Sequence, residues 1–458
     1  MKYKVLTALL VCLSFSAAVH VQSSEAAAVT SGLQASLVGP LTPLEKASSG
    51  AELPVRLAAA ETEEAPLPPG HQRHLQLALW YDGPAANLAP LNAIIALFEK
   101  QHPDIRVHLN PHPTMNAYAK LNGWCGLDEA NAPDLAVINS SWLALFAPRL
   151  ASLDELERTP AAARLLAPAL ELMKVNGRLL AVPWCLGARV LLVRPDLLAE
   201  RRLSEPQNWG QMALITAPGL HRPPQVWGMG LPGAAGGGGA VLLQEMLWAE
   251  GERVIEAHGG VNLATPGKIK TLERFCELAR YAQPEVLSWS QTELENAFGE
   301  GRMGLLVSDT WVAQAWQKIE GAPEYRALPL PGGEQPVADV LGDGLAVFAR
   351  SQHQAAAVRF AHWVMSGLAQ KNLMAWGGLA VHQDLLAEAR EDPVIGAVIP
   401  TMAKAQGGAA NAPPAALRAL DYAIYLAVSG KQPPAEALAL AQKVLAGSMT
   451  TTPGAPPG

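Results

Sequence analysis

Segments typical of strands and helices alternate between residues 75 and 139, and this alternation constrains the fold more than any other feature. Their order is strand, helix, strand, helix, strand, at 75–80, 89–101, 105–109, 115–121 and 134–139. Strands separated by helices favour a parallel sheet with helices on both faces. Ligands of such sheets bind at the carboxyl ends of the strands. The sequence therefore predicts an α/β fold with a binding site at those ends.

The later part of the chain continues this pattern and then becomes mostly helical. Further strands are predicted at 179–184, 190–193, 304–309 and 344–349. The pair Asn176-Gly177 predicts a tight turn before the first of them. Helical patterns dominate from about residue 352 to 445. We therefore expect a largely helical C-terminal part.

The N-terminus resembles an export signal. Two lysines in Met1–Lys4 precede an apolar run that is too short to cross a membrane comfortably. We expect a signal peptide over residues 1–18, with cleavage at 28 as the alternative. Acylation of Cys12, which would make the protein a lipoprotein, and retention of the run as a membrane anchor are two further alternatives.

Two regions lack the apolar periodicity of a folded core. Residues 29–72 are rich in Ala, Ser, Pro, Leu and Glu, and we expect a disordered linker there. Residues 447–458 are predicted to be a disordered tail. After removal of the signal peptide three cysteines remain, which allow at most one internal disulfide: Cys125, Cys185 and Cys276.

Charge and motifs exclude several classes of function. The formal net charge is −7, whereas a nucleic-acid-binding protein is usually basic. The sequence contains no H-E-x-x-H, no G-x-S-x-G and no P-loop. His108 and His112 are separated by Pro111 at a predicted strand end, so we expect no shared metal geometry. The sequence predicts no cofactor, no metal, no nucleic-acid partner and no catalytic turnover.

Six short segments occur in the order found in one known family. The chain resembles the extracellular solute-binding proteins of ABC importers, in particular the sugar-type family that includes maltose- and glycerol-3-phosphate-binding proteins. The resemblance covers about residues 75–445, and its segments are Phe98–Val107, Ala132–Leu135, Asn176–Trp184, Phe298–Trp311, Leu328–Gly333 and Leu341–Val347.

The resemblance implies a two-lobed periplasmic binding protein, similar to type II, whose lobes close on a ligand about hinge crossovers. The first lobe would contain residues 75–185 plus 332–350. The second lobe would contain residues 189–326 plus 353–446. The crossovers would be Trp184–Arg189, Arg326–Pro331 and Phe348–Gln352.

Strand ends and family positions give the candidate ligand-binding residues. Aromatic side chains would stack on sugar faces, and polar side chains would bind hydroxyls. In the first lobe the candidates are Trp80, Tyr81, Asp82, Asn139, Ser140, Ser141 and Trp142. Near the crossovers they are Trp184, Arg189, Gly342 and Asp343. In the second lobe they are Asp309, Trp311 and Trp376, of which the two tryptophans match stacking positions of the family.

Each candidate has a structural alternative. Asn139 and Ser140 could cap the next helix, and Asp82 could form a turn. The tryptophans could pack in the core. Arg189 lies in an apolar segment, where it either pairs with a buried carboxylate or binds an anionic ligand. The run Gly233–Ala240 departs from the family, because it offers only backbone groups.

The resemblance implies binding of an extracytoplasmic solute and its delivery to the permease subunits of an ABC transporter in the membrane. The expected solute is a sugar or an oligosaccharide, with a glycerol-phosphate-type solute as a variant. One alternative keeps the fold but makes the protein a ligand sensor or an envelope interaction protein. A second alternative is a secreted carbohydrate-active enzyme.

Overall fold

The computed structural model describes residues 68, 71–82, 85–126, 129–216, 220–256, 260–317, 319–332, 339–376, 378–402, 406–407 and 412–450. The expected signal peptide, Cys12 and nearly all of the expected linker lie outside the described residues, as do residues 451–458. Among the described helices, none is both long enough and apolar enough to cross a membrane.

The strands of the described part are β1 (Arg73–Trp80), β2 (Ile105–His112), β3 (Leu135–Asn139), β4 (Lys174–Val175), β5 (Arg178–Leu179), β6 (Ala181–Val193), β7 (Trp227–Gly230), β8 (Met303–Asp309), β9 (Arg326–Leu328), β10 (Asp339–Val347) and β11 (Gln406–Gly407). Strands β1, β2, β3 and β8 lie close to their predicted positions, whereas β10 begins five residues earlier than predicted and β4, β7, β9 and β11 were not predicted. The predicted turn joins β4 to β5, and Asn176 and Gly177 both have positive φ there.

The helices of the described part, short 3-10 turns aside, cover the sheet. They are α1 (Ala89–Gln101), α2 (Ala117–Trp124), α3 (Leu143–Phe146), α4 (Ala167–Leu172), α5 (Pro195–Arg201), α6 (Trp209–Ile215), α7 (Gly239–Ala249), α8 (Pro266–Ala279), α9 (Gln291–Gly299), α10 (Thr310–Trp316), α11 (Gln354–Val364), α12 (Gly367–Trp376), α13 (Gln383–Glu388), α14 (Ile395–Met402), α15 (Pro414–Val428) and α16 (Pro434–Thr450).

The main sheet has the strand order β2-β1-β3-β10-β6-β8-β7, with β11 beside β10 and β9 beside β6. β1 is parallel to both β2 and β3, as the strand and helix alternation predicts. β10 is antiparallel to both β3 and β6. β7 is parallel to β8, and β6 is antiparallel to β8.

Strand β6 joins the two halves of this sheet. The segments predicted at 179–184 and 190–193 lie in this one strand from Ala181 onward, and all of its residues are buried. It pairs with β10 as far as Ala188 and with β8 from Arg189 onward. We call the part of the sheet from β2 to β10, with its helices, the first lobe. The part from β8 to β7, with its helices, is the second lobe.

Two hydrophobic clusters support the sheet. The first is centred on β1, β3 and β10 and contains Leu77, Phe98 and Val137. The second contains Phe275 of α8 and Leu420 of α15. Side chains of α9 and α10 join the first cluster although their helices flank β8. The first cluster therefore extends across the boundary between the lobes.

The C-terminal helices divide between the lobes differently from the prediction. The side chains of α11 pack on the first lobe, where Phe360 meets Phe98 edge to face with ring centroids 5.0 Å apart. α13 and α14 belong to the same cluster, whereas α15 and α16 join the second cluster. Residues 354–402 thus pack with the first lobe, and no crossover occurs at Phe348–Gln352. α16 also continues to Thr450, past the predicted end of the fold at 446.

The packing of α11 predicts the effect of removing its largest buried side chain. Phe360→Ala should lower the free energy of unfolding by about 3–5 kcal/mol, because it leaves a cavity between α11 and α1. Leu368→Ala, at a side chain that is 47% exposed on α12, should change it by less than about 0.5 kcal/mol. Urea unfolding monitored by circular dichroism measures both. Equal effects would contradict the assignment of α11 to the core of the first lobe.

Candidate functional site

Asn139 and Asp343 form the polar centre of the first-lobe side of the site. Asn139 ends β3 and lies opposite Asp343 of β10. Its Nδ2 donates a hydrogen bond to Asp343 Oδ1 at 3.0 Å. Its Oδ1 accepts hydrogen bonds from Ser141 N and Ser141 Oγ, at 3.1 and 2.7 Å. Asn139 therefore caps the following turn, as its structural alternative predicts, and also orients a buried carboxyl group.

Asp343 is a carboxyl group in an unfavourable place for a negative charge. Burial raises the pKa of Asp343 to about 7, although the hydrogen bond from Asn139 acts in the opposite direction. Its side chain can therefore both donate and accept hydrogen bonds near neutral pH. A group of this kind suits a hydroxyl, which also does both.

Arg189 pairs with two carboxylates where β6 enters the second lobe. Its Nε lies 2.9 Å from Glu245 Oε1 of α7, and its Nη1 lies 3.6 Å from Asp309 Oδ1 at the end of β8. All three side chains are at least nine-tenths buried. Although burial disfavours the charge, Glu245, Asp309 and Asp339 hold the pKa of Arg189 above its ordinary value. The pairing alternative is therefore confirmed.

More carboxyl groups than guanidinium groups are buried around this ion pair. Burial and the neighbouring Glu245 raise the pKa of Asp339 well above its usual range. The carboxyl groups of Asp339 and Glu245 each shift the pKa of the other. Burial, and then the charge of Asp309, raises the pKa of Glu295 to about 7. Protons as well as Arg189 therefore offset the negative charge at the junction of the lobes.

Trp311 is carried by α10 of the second lobe and lies against two glycines. A Cβ atom built on Gly187 of β6 would lie 2.8–2.9 Å from three carbons of the six-membered indole ring. A Cβ atom on Gly378 would lie 2.5 Å from the indole Nε1. Gly378 also has a φ of +90°, which favours glycine. The indole is 6% exposed. Its packing position, which we call the seat of Trp311, requires the absence of side chains at Gly187 and Gly378.

Candidates at the end of β1 are used mainly within the first lobe. Trp80 Nε1 donates a hydrogen bond to Val137 O at 2.6 Å, and its indole stacks on Trp124 with centroids 5.9 Å apart. The exposed Asp82 carboxylate accepts hydrogen bonds from Thr114 N at 3.2 and 3.3 Å. Tyr81 is buried, which raises the pKa of its hydroxyl. The polar atoms of Trp80 and Asp82 in these hydrogen bonds are thus used within the first lobe.

The remaining candidate residues differ in their burial and packing. Trp142 is buried and meets Tyr118 edge to face at 5.7 Å, and Ser140 is buried beside it. Trp184 is 1% exposed in β6, as a core tryptophan would be. Gly342 faces Leu186 across the pairing of β10 with β6. Trp376 ends α12, and its side chain lies outside the described part of the structure.

The glycine-rich run at 233–240 is occupied by a carboxylate of the protein itself. Asp421 of α15 accepts hydrogen bonds from Gly236 N and Ala240 N, both at 3.0 Å. Burial raises the pKa of Asp421 to about 6, and these two hydrogen bonds oppose the increase. The backbone groups that the run offers thus anchor α15 to the start of α7.

Sequence reasoning missed Glu245, Glu295, Asp339, Gly187 and Gly378. A signal existed for Glu245, because a lone carboxylate within the apolar helix α7 requires a buried partner. The two glycines carried no recognisable pattern. Their role depends on Trp311, which is distant from both in the chain.

Metal and disulfide chemistry have no visible basis in the described residues. No group of three or more His, Cys, Asp or Glu side chains there is arranged to hold a metal ion. Cys125, Cys185 and Cys276 are all free thiols. Burial raises the pKa of the Cys125 and Cys276 thiols to about 11, so they are poor nucleophiles at neutral pH.

The raised pKa of Glu295 predicts a pH-dependent cost to stability. The carboxyl titrates near its ordinary pKa of 4.5 when unfolded and near 7 when folded. Its contribution to stability is therefore complete below pH 4.5 and is lost as the pH rises towards 7. At pH 8 the free energy of unfolding of Glu295→Gln should be about 3 kcal/mol higher than that of the native protein. At pH 4 the two free energies of unfolding should be equal.

Urea unfolding at the two pH values measures this difference. The exposed carboxylate of Glu277, on the same lobe, provides the matched control. Glu277→Gln should leave the pH dependence unchanged. A stability gain for Glu295→Gln that is the same at both pH values would show that ionisation of Glu295 is not its cause.

The seat of Trp311 predicts coupling between Gly187 and the indole. Gly187→Ala should destabilise the protein by about 1–3 kcal/mol, because its Cβ would overlap the ring. In a Trp311→Ala background the same substitution should cost less than about 0.5 kcal/mol. The control is Gly299→Ala, whose Cβ would lie 3.6 Å or more from Trp316 in ordinary contact. Additive effects of Gly187→Ala and Trp311→Ala on the free energy of unfolding would contradict the packing of the indole against Gly187.

Known sequences resemble this chain over part of its length. Residues 83–370 match the family described as bacterial extracellular solute-binding protein. A curated binding protein of Brucella abortus is 22% identical over 266 residues, which cover 56% of this chain and 64% of that protein. An ABC transporter-binding protein of Deinococcus radiodurans is 26% identical over 211 residues, 43% of this chain and 50% of that protein. The chain thus matches less than two thirds of the length of either relative.

Solved structures share the fold. The cyclic alpha-maltosyl-1,6-maltose binding protein from Arthrobacter globiformis aligns with a TM-score of 0.70 and 19% identity, over 82% of this chain and 98% of that one. UgpB from Mycobacterium tuberculosis, solved with glycerophosphocholine, aligns with a TM-score of 0.69 and 18% identity, over 81% and 98%. The sugar-binding protein MalE from Xanthomonas citri aligns with a TM-score of 0.68 and 20% identity, over 83% and 100%.

These likenesses confirm the predicted two-lobed α/β fold. The family match covers more than half of the chain and includes β6, β8 and β10, which build the junction of the lobes. The chain therefore belongs to the bacterial extracellular solute-binding proteins.

Proposed function

We propose that the protein binds a neutral saccharide between its two lobes, outside the cytoplasm, and delivers it to the permease of an ABC transporter. Support comes from the family and from the fold it shares with structures whose titles name sugars or sugar binding. The solute is held and released without chemical conversion.

One observation carries the proposal: polar and aromatic groups of both lobes converge where β6 passes between them. The first lobe supplies Asn139 and Asp343, joined by a hydrogen bond. The second lobe supplies Trp311, whose indole lies against Gly187 of β6 itself. Hydroxyl-binding groups beside an indole are the combination that a sugar ring requires.

The charges at this junction favour a neutral solute over a phosphate. Arg189 is the cation of the junction, and it is already paired with Glu245 and Asp309. An anionic solute there would add a negative charge beside two carboxylates that already occupy Arg189. A neutral polyol avoids that repulsion and can share hydrogen bonds with Asp343 in either protonation state.

Four polar or aromatic side chains of the junction are buried in this structure. Asn139, Asp309, Trp311 and Asp343 are each 5–6% exposed, although strand ends of an open cleft face solvent. We infer that the lobes separate about β6 to admit the solute. Closure then excludes water from the hydrogen bonds that hold it, which strengthens them.

A thermal-shift screen tests the proposal. Neutral saccharides and polyols should raise the melting temperature, since a ligand at 100 times its Kd stabilises the folded protein by about 2.7 kcal/mol. Glycerol phosphates and amino acids should have no effect. Stabilisation by a phosphate-bearing solute alone would contradict the neutral class, and slow conversion of the bound saccharide would contradict binding without turnover.

Trp311→Ala should then weaken binding of the identified solute by about 30- to 700-fold, the usual cost of losing a central aromatic contact. Isothermal titration of the folded variant measures this loss. Trp209→Phe is the control, because Trp209 is 1% exposed in the second hydrophobic cluster. Normal affinity of Trp311→Ala would remove Trp311 from the binding site.

A further inference from the structure

A surface cavity lies at the outer end of the second lobe. Its volume is about 470 Å³, which is within the range of small-molecule sites. Trp227, His221, Arg280, Glu285 and Ser288 are among its lining residues. Trp227 pairs with Met303 at the start of β8, six residues before Asp309. The cavity is therefore about 20 Å from the junction of the lobes, at 3.3 Å per residue.

The indole of Trp227 packs against Arg302 and Trp289. The guanidinium of Arg302 lies 5.5 Å from the centroid of Trp227 and 5.6 Å from that of Trp289. The two indoles are perpendicular, with centroids 6.0 Å apart. Arg302 Nη2 is itself paired with Glu300 Oε2 at 2.8 Å. Neither Arg302 nor Trp289 is among the residues that line the cavity, whereas Trp227 is.

This support has a consequence for binding. Trp227 is only half-buried, so its packing against Arg302 fixes the ring without covering it completely. A surface indole that is fixed in advance loses little freedom when a ligand stacks on it. This arrangement leaves an apolar ring exposed to solvent, which is a feature of binding surfaces.

The polar lining indicates which ligand fits. Arg280 and Glu285 contribute one charge of each sign, so the cavity has no net charge from this pair. His221 meets Tyr281 edge to face at 5.8 Å, which fixes its ring at the cavity wall. Ser288 adds a hydroxyl. Donors and acceptors of balanced charge around an indole match a neutral ring that carries several hydroxyl groups.

We propose that this cavity is a second saccharide site, in which one sugar ring stacks on Trp227 and shares hydrogen bonds with Arg280 and Glu285. The site is separate from the cleft between the lobes and does not depend on it. A single ring of 13 non-hydrogen atoms, such as a methyl hexoside, is expected to bind there with a Kd of about 1 mM.

The test uses the full chain labelled with 5-fluorotryptophan and followed by fluorine NMR. Trp227→Phe identifies the signal of Trp227. Methyl glucoside, methyl galactoside and methyl mannoside are then titrated separately. At least one of them should shift the Trp227 signal with a saturation curve in the millimolar range. The signal of Trp363, which is half-buried in the first lobe, should stay unchanged.

Two variants connect the shift with the cavity. Glu285→Ala leaves the support of Trp227 intact and should weaken binding at this site by about tenfold, the cost of hydrogen bonds to a charged group. Glu277→Gln, at an exposed carboxylate on α8, should have no effect. Trp311→Ala should leave the Trp227 titration unchanged, which separates this site from the cleft.

The inference is overturned when none of the three glycosides moves the Trp227 signal. It is also overturned when Trp227 and Trp363 shift together in a linear way, because that is an effect of the solvent. Movement of the Trp311 signal without movement of Trp227 would support the proposed function and reject the second site.

Discussion

Strand β6 is the constraint on which the rest of the structure depends, because it belongs to both halves of the sheet. At Ala188 it is still paired with β10, and at Arg189 it is already paired with β8. A continuous strand fixes the positions of the residues on either side of the boundary. Asp343 therefore lies opposite Cys185, Trp311 lies over Gly187, and Asp309 lies opposite Arg189, along one short stretch of backbone.

The charges at this boundary follow from its burial. A guanidinium taken out of water requires carboxylates, and Glu245 and Asp309 supply them at 2.9 and 3.6 Å. The further carboxyl groups of Asp339 and Glu295 exceed what one cation can neutralise. Their raised pKa values mean that bound protons offset part of this excess. Proton binding thus lowers the negative charge that remains beside Arg189.

Local patterns predicted the local structure well. The apolar spacing from Leu91 to Phe98 places α1 correctly, and the strands around it follow from their neighbours. The order of six short segments gave the family. The division of the C-terminal helices was wrong, since the sequence of α11 shows only that one face is apolar. Which lobe that face covers depends on Phe98, more than 250 residues earlier in the chain.

The position of the candidate site was predictable to the extent that it lies at strand ends. Asn139, Asp309 and Trp311 follow directly from that rule, and Arg189 follows from the cost of a lone charge in an apolar segment. Trp80 and Asp82 obey the same rule of position, yet Val137 and Thr114 use their polar atoms within the first lobe. Position at a strand end is therefore not sufficient, because the protein itself can use the polar atoms of a side chain there.

The seat of Trp311 links binding to closure. Its indole belongs to the second lobe, and the glycines that receive it belong to the crossing strand and to the loop after α12. These contacts form between protein groups alone, so they stabilise the closed arrangement before any solute is present. A solute then has to supply only the remaining difference in free energy between the open and closed states. If the proposed function is correct, we expect the affinity for the solute to depend on Gly187 and Gly378 as well as on the residues that touch it.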